Sequence, residues 1–113
     1  FSLVYRGKIE SGLQTHLAPL YDLISTVYYP ELSSKMAMKL GGEYLSEFIT
    51  PGHFERLAEE AGLARPLMKR RVLELAEAVV SKLPPVTTDH PVTIAVAAMI
   101  RSRCERSVRS FRK

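Results

Sequence analysis

The sequence is poor in the residues on which covalent and metal chemistry is usually built. It has one cysteine, Cys104, in 113 residues. A single thiol excludes an intramolecular disulfide framework and argues against a cysteine-rich structural zinc site. It fits a reducing, cytoplasmic setting. No run approaches the roughly 20 apolar residues of a membrane-spanning helix, and there is no signal-peptide layout. No Walker-type glycine-rich loop is present. No Ser-His-Asp or Cys-His pair can be argued together. No internal repeat or low-complexity tract is visible. The first residue is Phe1, not Met, which predicts a fragment or a processed chain.

What is there is ordinary globular material. Apolar residues make up 46% and charged residues 25% of the chain, as in soluble domains. The length suits one domain, or a piece of one, with a modest core. Sixteen bases against twelve acids give a net charge of +4.

Residues 1–18 read as a β-hairpin. Leu3, Val4 and Tyr5 favour a strand, Arg6-Gly7-Lys8 and Ser11-Gly12 are turn chemistry, and Leu13 to Leu17 alternate. An unpaired edge of such a hairpin invites self-association. Residues 19–49 are expected to hold a candidate acidic site and short helices. One of these spans Lys35 to Leu40, after Ser33-Ser34 and stopped by Gly41-Gly42. Another spans Glu43 to Phe48. Tyr28 and Tyr29 are read as covering a core edge with their hydroxyls in water; with His16 they could also form a nucleotide or peptide contact set.

Residues 50–113 are expected to form three helices. Thr50 caps the first and Pro51 opens it. Phe54, Leu57, Ala58 and Ala61 make its apolar face, and Gly62 ends it. Pro66 opens the second, to about Leu83, with Met68, Val72, Leu75, Val79 and Leu83 on a wide buried face. Its basic run, Lys69-Arg70-Arg71, is read as a solvated face paired with Glu74 and Glu77, and Pro84-Pro85 stops the helix. The third starts near Pro91, with Asp89 or His90 as cap. Its stripe is Val92, Val96, Met99, Ile100, Cys104, Val108 and Phe111. The opposite face carries Arg101, Arg103, Arg106, Arg109, Arg112 and Lys113 against Glu105 alone. A phosphate-rich partner is one reading of that face. A solvated tail is the other, since no aromatic interleaves the arginines to stack on bases. The fold expected is mainly α with a short N-terminal hairpin.

The one candidate for chemistry is Asp22. It leaves the apolar stretch Leu17-Ala18-Pro19-Leu20-Tyr21, and Pro19 holds the residue before it extended. A carboxylate there can hold a hard cation such as Mg²⁺, which takes one or two carboxylates plus phosphate oxygens. It can equally cap a helix begun by Leu23-Ile24-Ser25-Thr26. No second carboxylate or histidine lies at a ligand-like offset.

Phe1-Ser2-Leu3-Val4-Tyr5 and His16 to Thr26, followed by Met36-Ala37-Met38-Lys39-Leu40-Gly41-Gly42 and Phe54 to Leu63, resemble the C-terminal part of HipA-like serine/threonine kinases. These are the toxins of HipA/HipB-type toxin–antitoxin pairs. The resemblance implies that residues 1–113 form the helical C-terminal portion of a protein-kinase-like C-lobe. It implies that Asp22 plays the part of the kinase DFG aspartate, a Mg²⁺ ligand facing the ATP phosphates. It implies ATP and Mg²⁺ as the parent's cofactors, Ser or Thr of a protein such as an aminoacyl-tRNA synthetase as substrate, and a DNA-binding HipB-like antitoxin as partner. The family's catalytic loop and its ATP-anchoring lysine are absent from these residues, so the isolated chain is expected to be inactive and to bind neither cofactor. The competing expectation is a non-catalytic helical module. It would bind nucleic acid or an acidic protein through Arg101, Arg103, Arg106, Arg109 and Arg112.

Overall fold

The computed structural model describes residues 2–7, 12, 14–19, 24–83 and 90–113. Two antiparallel hairpins precede three helices. Strands β1 (Leu3–Arg6) and β2 (Gln14–Leu17) form the first, with Leu3 opposite Leu17 and Tyr5 opposite Thr15. The expected N-terminal hairpin is therefore present. Leu3, Tyr5 and Leu17 are all exposed.

The second hairpin corrects the sequence reading. Lys35 to Leu40 is strand β3, not a helix, and Glu43 to Leu45 is strand β4. Of the expected Glu43–Phe48 helix only a 3₁₀ turn at Ser46–Phe48 forms. Gly41-Gly42 does not stop a helix. It makes the two-residue turn of the hairpin, with φ of 55° and 92° and Leu40 paired to Glu43. Positive φ at both central residues matches the twist of antiparallel strands, and two glycines adopt it without strain. The ladder is irregular between Lys35 and Leu40, and Met38 ends 79% exposed while Met36 and Leu40 are half-buried. Five steps from Lys35 to Leu40 face two from Leu45 to Glu43, so β3 carries three extra residues and strict alternation of faces is lost along it.

Helix α1 (Pro51–Glu60) begins where expected. Thr50 is its N-cap, and the Thr50 amide donates to Nδ1 of His53 at 3.0 Å. Its end is a Schellman motif: Gly62, at φ 67°, donates to the Glu59 carbonyl (3.1 Å) and Leu63 to that of Ala58 (2.7 Å). Helix α2 (Arg65–Lys82) follows, then α3 (Pro91–Arg112) with His90 in its N-cap position. Pro84, Pro85 and Asp89 lie outside the described residues.

Helix α2 packs against both α1 and α3, and β3 touches α1. One residue of each helix is buried: Ala58 at 0%, Ala76 at 9% and Phe111 at 4% exposure. Phe111 meets Phe54 of α1 edge to face, with centroids 5.4 Å apart. The wide buried face expected on α2 is narrower. Leu75 is 61% exposed and Val79 is exposed too, as is Ile100 on α3. The radius of gyration is 17.1 Å, against about 13 Å for a compact domain of this length. The accessible surface is 9143 Å², about half as much again as a folded monomer of this mass exposes. The helices thus bury one seam and leave large apolar side chains in water. No helix among the described residues is long and apolar enough to cross a membrane.

Candidate functional site

The arginines of α3 do not form one free basic face. Arg101 is half-buried and donates to the carbonyl of Leu83, the C-cap residue of α2, at 2.7 Å. A cation on the last carbonyls of a helix meets the negative end of its dipole. Arg103 reaches Ser46 after β4, where Nη1 donates to Oγ at 3.0 Å. Arg112 pairs with Glu77 of α2 at 2.5 Å. Three of the five arginines proposed as a binding face are thus structural ties. Their partners lie 18, 57 and 35 residues away. Arg106 and Arg109 stay exposed and make no ion pair or hydrogen bond among the described residues.

The basic run on α2 behaves as read only for Arg70, Arg71 and Glu74. Arg70 and Arg71 both meet Glu74, at 3.7 and 2.8 Å. Glu77 instead serves α3. These pairs are exposed, and such pairs contribute little, up to about 1 kcal/mol.

A cleft of about 560 Å³ opens between the second hairpin, the start of α1 and α3. Met36, Leu40, Phe48, Ile49, Phe54 and Phe111 give it an apolar floor. Arg103, Arg106, Ser107 and Ser110 form a polar wall along α3, and Glu47 is its one acid. Ser46, Ser107 and Ser110 went unnoticed in the sequence because serines carry no periodic signal. The hairpin was detectable: Gly-Gly after a short alternating run is a hairpin signature.

Asp22 lies outside the described residues. Among the described residues no group of three or more His, Cys, Asp or Glu could hold a metal ion. The donor that the resemblance implies is the lone carboxylate of Asp22. That fits Mg²⁺ only where phosphates, water or further protein complete its shell. His16 is exposed, with Nε2 3.3 Å from Oε1 of Gln14. Tyr28 and Tyr29 pack edge to face on each other, at 5.1 Å. Burial pushes the Cys104 thiol up from its ordinary pKa, as suits a residue on the packed stripe of α3.

The sequence model of the HipA-like C-terminal domain matches residues 1–83. The chain belongs to this family. The HipA-like segment thus spans both hairpins, α1 and α2, and α3 follows it. "Putative kinase Y4mE" of Sinorhizobium fredii (strain NBRC 101917 / NGR234) is 40% identical over 73 residues, which is 65% of this chain and 17% of that protein. The chain therefore spans about a sixth of that relative's length. No solved structure matches. The mainly helical fold with its N-terminal hairpin agrees with what the HipA-like resemblance implied.

Proposed function

We propose that this HipA-like domain is the C-terminal part of a kinase that transfers phosphate from ATP to Ser or Thr of a protein, with Mg²⁺. The observation that carries the reading is the family match over residues 1–83, a segment that contains Asp22. The relative named as a kinase, at 40% identity, supports it. Asp22 is the residue that would hold the metal, through its carboxylate. Bound there, Mg²⁺ would neutralise charge on the transferring phosphates. A HipB-like antitoxin, a cytoplasmic location and a toxin–antitoxin role belong to the same proposal.

The isolated chain is proposed to be inactive. Phosphoryl transfer needs a base or water-positioning group, a second metal-binding residue and a phosphate anchor. Of these parts the resemblance places only the Asp22 carboxylate in these residues. The test uses the full-length natural protein that contains this domain, with incorporation of labelled phosphate from ATP as readout. Asp22→Asn should lower the rate by about 10²-fold or more, the scale of removing one electrostatic stabiliser of the transition state, with thermal stability unchanged. A merely capping Asp22 would instead cost about 1 kcal/mol of stability and leave the rate intact. Turnover of ATP by the 113-residue chain alone, lost on Asp22→Asn, would overturn the inactivity.

A further inference from the structure

A second cleft, of about 260 Å³, lies on the other flank of the Phe54–Phe111 pair. Its lining includes Pro51, Glu55, Met68, Lys69 and Lys113. It shares Phe54, Ser110 and Phe111 with the larger cleft. The two adjoin along α3 on either side of that pair, as a groove divided by it.

Three features define what the groove accepts. Its floor is apolar, and Phe48 on it is 57% exposed. Its cations outnumber its acids: Lys69, Arg103, Arg106 and Lys113 stand against Glu47 and Glu55. Lys69, Arg106 and Lys113 make no ion pair or hydrogen bond among the described residues, although Arg70, Arg71, Arg101 and Arg112 of the same two helices do. Unpaired cations beside an open apolar floor are complementary to carboxylates beside apolar side chains. The α3 wall lies beyond residue 83, outside the matched family segment, so the groove is not a feature of that segment alone.

We propose that this groove docks an acidic amphipathic polypeptide segment. Its apolar side chains enter beside Phe48, Met36 and Met68, and its carboxylates meet Arg106, Lys69 and Lys113. Nucleic acid fits less well. Glu47 and Glu55 would face its phosphates. The proposal is independent of the kinase reading.

The test is fluorescence polarisation with the 113-residue chain and a fluorescein-labelled helical 14-residue peptide. One face of the peptide carries Leu and Phe, the other Asp and Glu. A control peptide replaces every Asp and Glu by Asn and Gln, and a short DNA duplex serves as competitor. The acidic peptide should bind at least tenfold more tightly than the neutral one. Arg106→Glu and, separately, Phe48→Ser should each weaken it about tenfold; both residues are exposed, so helical content by circular dichroism should not change. The idea fails if the acidic peptide does not bind at 1 mM, if the neutral peptide binds equally well, or if either variant binds normally. It fails also if DNA displaces the peptide at equal concentration, since the surface would then be a general polyanion site.

Discussion

Phe111 is where the fold is most open to a quantitative test. It is 4% exposed and packs edge to face on Phe54, and it is one of the few buried residues of the helices among the described residues. Phe111→Ala removes a buried ring and leaves a cavity where α3 meets α1. Such changes cost about 3–5 kcal/mol, of which the aromatic pair itself accounts for about 0.5–1.5 kcal/mol. A domain of this length is stable by roughly 6–17 kcal/mol at the usual 0.05–0.15 per residue. A chain with so small a core belongs at the lower end, so the substitution should remove half or more of the total. Urea unfolding followed by ellipticity at 222 nm should show the midpoint fall with the slope unchanged. Phe111→Leu, which keeps much of the apolar volume, should recover part of the loss. A loss below about 1 kcal/mol for Phe111→Ala would refute the packing of α3 on α1 and, with it, the shared wall of the groove.

Three further outcomes follow from the same contacts. A Cβ at Gly41 would sit 2.0 Å from the carbonyl oxygen of His53, whereas one at Gly62 would meet nothing within 4 Å, and both have positive φ. Gly62→Ala should therefore cost only the left-handed penalty of about 1–2 kcal/mol, and Gly41→Ala clearly more, read from paired urea melts. Arg101→Gln should cost about 1–3 kcal/mol by removing a charged donor from the Leu83 carbonyl, and Arg101→Lys should cost less. Cys104 has its pKa raised by burial, so the folded state favours the neutral thiol. The stability this adds is complete below the unfolded thiol's pKa of about 8.5 and is lost as pH rises through the higher folded value. Melts from pH 7 to 10 should fall more steeply for the native chain than for Cys104→Ala. Iodoacetamide should label Cys104 more slowly in the folded than in the unfolded chain.

What the sequence determined by itself was whatever short-range chemistry decides. Thr50-Pro51 and Gly62 mark the ends of α1, because caps and left-handed stops act within one turn. Arg70, Arg71 and Glu74 pair at helical spacing for the same local reason. The motifs from Phe1 to Leu63 carried the family. Tertiary structure decided the rest. Met36-Ala37-Met38-Lys39-Leu40 is short and built of residues that helices also accept, so propensity alone does not separate strand from helix, and Gly-Gly can be a helix stop as well as a hairpin turn. The seat of the Gly41-Gly42 turn against α1 settles it as a hairpin. The buried stripe of α2 is narrower than its apolar pattern, because only the sides facing α1 and α3 are covered. The partners of Arg101, Arg103 and Arg112 lie 18, 57 and 35 residues away. No spacing rule reaches that far. Which cations hold the fold and which remain open to a partner is fixed only when α3 lies against α2 and the second hairpin.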